Sequence, residues 1–201
     1  MIDFLAVDTS SKYLTVLAKK GERIAVRHLE DCAMRHSVIL MENISSVMDE
    51  LGSVPSDCRF FAAVTGPGSF TGIRIGLSTV KGMSVASGRP CVGVTSFDLI
   101  AYNVNSSRNF GVVIDAMRGN YYFKAYDPSL NCVVEPCYLS AEQVKAYGMP
   151  LYGFESLPFN DYKKLNAGDC LCTAVLAAAA RGEGELHALY VRKSQAEEGR
   201  K

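Results

Sequence analysis

The sequence predicts an α/β protein built from two related lobes. Two observations lead to this prediction. Apolar strands alternate with amphipathic helices through the first half of the chain, and the second half repeats the opening plan of an apolar strand, a terminal aspartate and a polar turn. We expect the lobes to occupy residues 1–106 and 107–201.

The first lobe is predicted to open with three strands. Residues 2–8 are mainly apolar and end in Asp8, and two further strands cover 12–19 and 23–29 around a glycine-containing hinge. A helix follows from Arg35 to Leu51. Apolar side chains recur along it at three- and four-residue spacing: Leu40, Met41, Ile44, Val47, Met48 and Leu51.

The rest of the first lobe alternates strands and helices. We expect strands at 60–64 and 91–94, each followed by a helix, the first over 73–87 and the second over 97–104 with Ser96 as its N-cap. The helix at 73–87 is rich in glycine, serine and alanine, which lowers its intrinsic stability. Its small residues fit either close packing on the sheet or contact with another subunit.

The second lobe restarts with an apolar strand at 110–115 that ends in Asp115. A turn and two strands at 121–127 and 132–139 follow, and Ser140 with Gln143 forms a capping box that predicts a short helix. Asp8 and Asp115 would then face each other across a cleft. Phosphotransfer folds of the actin, sugar-kinase and Hsp70 type are built in this way, although a fold alone does not give a function.

A glycine-rich segment, Gly66-Pro67-Gly68-Ser69-Phe70-Thr71-Gly72, joins a strand to a helix. Its glycines allow the backbone to approach a ligand, and amides at a helix N-terminus favour an anion. The segment contains neither a phosphate-loop nor a dinucleotide-binding motif. A tight strand-to-helix turn is therefore an equally good interpretation.

Polar loops follow both aspartates. Asp8-Thr9-Ser10-Ser11 can hold a phosphate or hydrated magnesium, although the same residues are ordinary turn formers. Arg118 offers an anion contact beside Asp115, or it is an ordinary solvated side chain. His36 and Ser37, at the start of the first helix, are typical of surface and capping positions, and no nucleophile and base pair can be assigned.

Composition excludes several classes of protein. There are 21 basic and 21 acidic residues, and both halves of the chain are balanced, so no basic stripe is available for nucleic acid. Even the two longest uncharged runs, residues 60–73 and 170–180, are shorter than the roughly 20 residues of a membrane span. The N-terminus lacks a secretory pattern, and seven cysteines without a Cys-x-x-Cys motif indicate free thiols in the cytoplasm.

Taken together, the motifs closely resemble the TsaB (YeaZ) family. The resemblance rests on Asp8-Thr9-Ser10-Ser11, His36-Ser37, the long glycine-containing segment from Gly66 to Gly82, and the turn from Asp115 to Tyr122. It covers about residues 1–126, and Leu189-Tyr190-Val191-Arg192 with Ala196-Glu197 matches the family's C-terminal pattern. Residues 127–186 match poorly, so the second lobe is expected to be reduced.

The resemblance implies an ASKHA (actin, Hsp70 and sugar-kinase-like) fold and a non-catalytic scaffold subunit. Such a subunit pairs with the proteins TsaD and TsaE to form threonylcarbamoyladenosine on tRNAs that read codons beginning with A, and it reaches tRNA only through the complex. The metal-binding His-x-x-x-His of TsaD is replaced here by His36 followed by Leu40, so no metal is expected. ATP or ADP with magnesium at the complex interface and a homodimer of the isolated chain both stay open.

The resemblance also implies two groups of site residues. A degenerate nucleotide cleft would comprise Asp8, Thr9, Ser10, Ser11, Gly66, Pro67, Gly68, Ser69, Asp115 and Arg118. A protein interface on the first two helices would comprise Leu40, Met41, Ile44, Met48, Gly72, Gly76, Leu77, Val80, Gly82 and Met83.

Two other functions are open. One is a small-molecule kinase that holds ATP and magnesium between Asp8 and Asp115, although the loop after Asp115 lacks the paired glycines that a second phosphate contact needs. The other is a peptidase of the glycoprotease-like family, although the sequence offers neither a metal pair nor an evident catalytic triad.

Overall fold

A computed structural model describes residues 1–182 and 186–191, which form two five-stranded mixed sheets with helices packed on them. The α/β class predicted from the sequence is confirmed. The C-terminal positions Arg192, Ala196 and Glu197, which contribute to the resemblance, lie outside the described residues.

The first sheet has the strand order β3-β2-β1-β4-β5. Its strands are β1 (Ile2–Asp8), β2 (Leu14–Lys20), β3 (Arg23–Leu29), β4 (Cys58–Val64) and β5 (Cys91–Val94). The first three form an antiparallel meander, whereas β4 runs parallel to β1 and β5 runs parallel to β4.

The second sheet has the order β10-β9-β6-β7-β8. Its strands are β6 (Phe110–Asp115), β7 (Asn120–Tyr126), β8 (Cys132–Ser140), β9 (Leu151–Gly153) and β10 (Tyr162–Lys164). The meander of β6, β7 and β8 is again antiparallel, and β9 and β10 add in parallel beyond β6. Because both sheets share one topology, the internal repeat predicted from the sequence is confirmed at the level of the fold.

Five α-helices accompany the sheets in the described part of the chain. They are α1 (His36–Glu50), α2 (Phe70–Ser87), α3 (Ser96–Ala101), α4 (Ala141–Lys145) and α5 (Ala167–Arg181), and a short 3₁₀ turn covers Pro55–Asp57. None of them is long and apolar enough to cross a membrane.

Alternation along β1 divides the first core into two layers. Leu5 and Val7 face α1 and α2, whereas Phe4 and Ala6 face the opposite side, where α5 covers the sheet. The helix α5 comes from the second half of the chain, so the first sheet is completed by residues far away in sequence. The uncharged run at 170–180 lies inside this helix, which the sequence analysis did not predict.

Two helix starts differ from the sequence expectation. Helix α2 begins at Phe70, three residues earlier than expected, because the Ser69 side chain caps it by accepting from Gly72 N–H at 3.2 Å. Helix α3 is capped by Thr95, which accepts from Asp98 N–H at 3.0 Å, so the assignment of Ser96 as the N-cap was wrong. This helix also ends at Ala101 rather than at residue 104.

Candidate functional site

Asp8 ends β1 as a buried carboxylate with its own local partner. Its Oδ1 accepts from the Ser10 backbone N–H at 2.8 Å and from Ser10 Oγ at 2.7 Å, and only 1% of the residue is exposed. Burial raises the pKa of Asp8 because it disfavours the charged form, although both bonds from Ser10 and the nearby Tyr13 and His36 oppose the rise. The Asp8 carboxylate thus stabilises the loop that follows β1 by accepting hydrogen bonds from Ser10.

His36 is a second buried polar group beside this loop. Its Nε2 donates to the carbonyl oxygen of Tyr13 at 2.9 Å, and only 3% of the residue is exposed. The expectation of a surface histidine was therefore wrong, because the ring ties the start of α1 to the start of β2. Burial, and next the negative charge of Asp8, raise the pKa of the Tyr13 hydroxyl well above its usual value.

The glycine-rich segment packs against the loop that follows Asp8. A Cβ atom at Gly68 would lie 2.1 Å from the Ser10 carbonyl oxygen, and one at Gly72 would lie 2.0 Å from the Thr9 carbonyl oxygen. Both distances are impossible for a real side chain. These two glycines therefore bring α2 against the chain's own backbone, and not against a ligand.

Hydrogen bonds reinforce this contact. Thr9 Oγ1 donates to the Gly72 carbonyl at 2.7 Å, and the Ser69 N–H donates to the Ser10 carbonyl at 2.6 Å. Gly66 and Pro67 are buried behind them, joined by a cis peptide bond, while Ser11 is half-buried. The hydroxyls of Thr9 and Ser10 and the N–H groups of Ser10, Ser69 and Gly72 thus all donate within the chain. These five donors are not available to a nucleotide phosphate.

Asp115 lies in a different environment from Asp8. Its carboxylate is exposed, and its Oδ1 accepts from the Met117 N–H at 2.8 Å. Met117, Arg118 and Gly119 follow in the left-handed region, with φ of 66°, 57° and 75°. The turn is thus a local Asx-type structure that leaves Arg118 exposed at the surface.

Side chains after β9 lie between the two strand ends. The ring of Phe154 meets the ring of Tyr13 edge-on, with centroids 6.0 Å apart. Burial first, and then the negative charge of Asp115, raise the pKa of Glu155, and Glu155 in turn contributes to the raised pKa of Tyr13. An aromatic ring and a carboxylate from the second half of the chain therefore lie close to Tyr13.

An open groove lies between α1 and α2, on the face of the first sheet that is opposite to α5. Its volume is about 490 Å³, and its walls are Ser37, Leu40, Met41, Phe70, Thr71, Arg74, Ile75, Ser78 and Thr79. Met41 is 54% exposed and Phe70 is 38% exposed. Apolar surface of this kind on a small protein is typical of contact sites for other macromolecules.

The structure divides the interface residues expected from the resemblance into three groups. Leu40, Ile44, Met48 and Val80 are buried in the core between the helices and the first sheet. Gly72 and Gly76 are buried against Thr9, where a Cβ atom at Gly76 would lie 2.5 Å from Thr9 Oγ1. Met41 and Gly82 are exposed, and Leu77 and Met83 are partly exposed, so these four form the accessible part of the expected interface.

The C-terminal segment adds one aromatic ring, Tyr190, to two side chains of α2, Phe70 and Arg74. The ring of Tyr190 stacks at a tilt on Phe70 with centroids 5.0 Å apart, and the Arg74 guanidinium lies 3.8 Å from the Phe70 ring centroid. Sequence reasoning did not single out these three side chains, although Tyr190 belongs to the C-terminal pattern that it noted. In the described part of the chain, no cluster of three or more His, Cys, Asp or Glu side chains is arranged to hold a metal ion.

Comparisons with known proteins agree with this architecture. The family model described as TsaD, tRNA N6-adenosine threonylcarbamoyltransferase, matches residues 29–157. The tRNA threonylcarbamoyladenosine biosynthesis protein TsaB of Escherichia coli K12 is 28% identical over 130 residues, which are 63% of this chain and 56% of that protein. The TsaB protein of Bacillus subtilis 168 is 29% identical over 126 residues, which are 61% and 54% of the two chains.

A solved structure extends the likeness to nearly the whole chain. YeaZ from Pseudomonas aeruginosa superposes with a TM-score of 0.78 at 24% identity, over 94% of this chain and all of that one. This likeness shows a shared fold, in agreement with the two-lobed α/β architecture predicted from the sequence. The matched segments span only about half the length of the curated TsaB proteins.

Proposed function

The chain belongs to the TsaB (YeaZ) family, and on that premise we propose that it is an accessory subunit in the formation of threonylcarbamoyladenosine on tRNA. In this proposal it contributes no catalytic residue of its own. It acts as a scaffold that binds TsaD, and through the joint surface TsaE, so that the complex modifies tRNAs reading codons that begin with A.

The proposal rests mainly on one observation, the close packing of the glycine-rich segment against the loop that follows Asp8. In a phosphotransfer enzyme this loop must stay open for nucleotide phosphates, whereas here Gly68 and Gly72 press directly on Ser10 and Thr9. That contact supports a first lobe whose role is to bind other proteins and not to bind a nucleotide. It counts against the kinase alternative, in which Asp8 and Asp115 would hold ATP and magnesium between them. Any nucleotide would then belong to the assembled complex.

The groove between α1 and α2 supports a role in binding protein. It presents exposed apolar side chains, Met41 and Phe70, beside the open backbone of α2 at Gly82. The chain also has 21 basic and 21 acidic residues, so it has no net positive charge with which to bind a phosphate backbone by itself. Both features favour a subunit whose main partner is another protein and whose contact with tRNA depends on that partner.

Co-purification with TsaD from the same organism tests the proposal. Tagged wild-type chain should retain TsaD, and TsaE should join when ATP is added. Met41→Glu places a charge on the exposed groove wall, and Gly82→Leu adds bulk where nothing lies within 4 Å, so both should weaken TsaD retention about tenfold or more. Val133→Glu, at an exposed position of the edge strand β8, is the matched control and should retain TsaD fully.

Gly76→Leu is unsuitable for this experiment, although the resemblance places Gly76 in the expected interface. A side chain there would collide with Thr9, so loss of binding would report misfolding. Normal TsaD retention by both groove variants, or no retention by the wild-type chain, would contradict the proposal.

A further inference from the structure

Helices α3 and α5 are exchanged between the two halves of the chain. Helix α5 comes from the second half but packs on the first sheet, whereas α3 comes from the first half and packs on the second sheet through Phe97 and Ile100. The structure therefore has two packed units, with α1, α2 and α5 around the first sheet and α3 and α4 around the second. The chain passes between these units at Thr95, before α3, and at Leu165, before α5. Short loops of this kind are points about which packed units can rotate.

A third link between the units is the strap, defined as residues 186–191. Leu186 packs on the core that lies between the first sheet and the helices α1 and α2. Leu189 and Val191 pack instead on the core that lies between α3 and the second sheet. The strap therefore holds both units through its side chains.

The strap also lies against the first of the two passages between the units. The Leu189 N–H donates to the Thr65 carbonyl oxygen at 2.8 Å, and a Cβ atom at Gly66 would lie 3.1 Å from the Leu189 carbonyl oxygen. The Gly66 carbonyl oxygen in turn accepts from the Ser96 N–H at 2.7 Å, at the start of α3. Detachment of the strap thus removes a contact from the loop that supports this passage.

The strap is attached less firmly than the cores that it joins. Its six residues belong to no helix or strand, and Leu186, Leu189 and Val191 are all partly exposed. Tyr190 packs on α2 through the Phe70 ring, with centroids 5.0 Å apart, and is itself 43% exposed. Segments with an irregular backbone and partly exposed contacts open at a lower free energy than buried strands. The strap can therefore detach while both cores stay folded.

We propose that the strap is a releasable tie that holds the two units together, and that its detachment lets them rotate about Thr95 and Leu165. Rotation separates the Phe154 ring of the second unit from the Tyr13 ring of the first, whose centroids lie 6.0 Å apart while the strap is attached. The strap acts in this way in the isolated chain, and its role is independent of the proposed function.

Hydrogen–deuterium exchange of the wild-type chain, read by mass spectrometry of overlapping peptides, tests whether the strap detaches on its own. After correction for intrinsic rates, the Leu189 amide should exchange at least about tenfold faster than the amides of β1 and β4, which open with the whole core. Equal protection of Leu189 and of these two strands would overturn the proposal.

The double variant Leu189→Ala with Val191→Ala loosens the hold on the second unit. Exchange in α3 and in residues 154–157 should rise about tenfold, because both lie where the units meet, whereas exchange in α1 should stay within about twofold of wild type. The matched control is Leu176→Ala with Val133→Ala, which shortens two side chains outside the strap that are 43% and 47% exposed. It should leave exchange in all three regions unchanged.

Tyr190→Ala reaches the same state from the other end, because it weakens the hold on the first unit and leaves the second core intact. It should raise exchange in α3 and in residues 154–157 severalfold. A uniform rise that includes α1 would mean general destabilisation, and no rise in α3 would mean that the strap does not restrain the units. Either result would overturn the proposal and leave the proposed function untouched.

Discussion

Gly72 packs on the backbone of Thr9 so closely that a Cβ atom at Gly72 would lie 2.0 Å from the Thr9 carbonyl oxygen. The Thr9 hydroxyl also donates to the Gly72 carbonyl at 2.7 Å, so the two residues are joined by both shape and hydrogen bonding. This contact fixes the first turn of α2 against the end of β1. It thereby closes the space between the start of α2 and the loop after Asp8, and it positions α2, which forms one wall of the exposed groove.

Replacing Gly72 by alanine should destabilise the protein. The added methyl group must displace the Thr9 backbone, and overpacking of this kind costs about 1–3 kcal/mol. Gly82→Ala in the same helix is the control, because Gly82 faces open space and should gain about 0.5–1 kcal/mol from better helix propensity. Urea unfolding measures both changes. A Gly72→Ala variant as stable as Gly82→Ala would contradict the close contact.

Asp8 should make folding depend on pH. Its pKa is raised in the folded state by burial, so its favourable contribution is complete below the unfolded-state value of about 3.9 and is lost as the pH rises through the folded-state pKa. Asp8→Asn keeps an acceptor for both Ser10 bonds and removes this titration. Relative to wild type, Asp8→Asn should therefore be more stable at pH 7 than at pH 4, with a larger free energy of unfolding.

Chemical denaturation across that pH range measures the effect. Asp115→Asn is the control, since Asp115 occupies the matching strand end in the second lobe but is exposed. Parallel stability profiles for wild type and Asp8→Asn would mean that burial of the carboxylate does not govern its ionisation.

A polar cluster around Asp98 should hold α3 to the second sheet. Asp98 Oδ1 accepts from the Tyr126 hydroxyl at 2.6 Å and from Lys124 Nζ at 3.3 Å, and Oδ2 accepts from Thr95 Oγ1. Tyr126→Phe should cost about 1 kcal/mol of unfolding free energy, and Asp98→Ala about 2 kcal/mol because it leaves three donors without their acceptor. Thermal or urea unfolding tests both values.

The control for this cluster is an ion pair at the surface. Arg108 and Asp161 lie 2.9 Å apart with side chains 66% and 64% exposed, so Asp161→Ala should change stability by less than about 0.5 kcal/mol. Equal effects of Asp98→Ala and Asp161→Ala would show that burial does not distinguish the two sites.

The isolated chain should not bind ATP. The hydroxyls of Thr9 and Ser10 and the N–H groups of Ser10 and Ser69 all donate within the chain, so these donors are not available to phosphate. Titration calorimetry with ATP and magnesium chloride should therefore give no saturable heat. A dissociation constant in the micromolar range would instead restore the kinase alternative.

Local sequence patterns predicted most of the fold, and long-range contacts account for what they missed. Alternation and terminal aspartates located β1 and β6, and helical periodicity located α1 to within one residue of its observed bounds. Helix α5 was not predicted, because its burial depends on a sheet whose strands all lie more than 70 residues earlier in the chain. The second lobe's reduction and the division at residue 106 stay predictions.

The candidate site was harder to predict for the same physical reason. Glycines at 66, 68 and 72 indicate a close backbone approach, but a sequence cannot say whether the approaching group is a ligand or another loop. Likewise, periodicity marked Leu40, Ile44 and Met48 as one helix face without showing that the face is buried on this chain's own sheet. The structure was needed to show that Met41 and Phe70 are exposed at the groove between α1 and α2, and that the distant Tyr190 packs on Phe70.

Mass spectrometry of nucleosides from bulk tRNA tests the proposed function most directly. A strain that lacks this chain should lose threonylcarbamoyladenosine. The wild-type gene and Asp115→Asn should restore it, because the proposed function gives this exposed carboxylate no catalytic role, whereas Met41→Glu should restore little. An unchanged level of threonylcarbamoyladenosine in the strain without the chain would contradict the proposal.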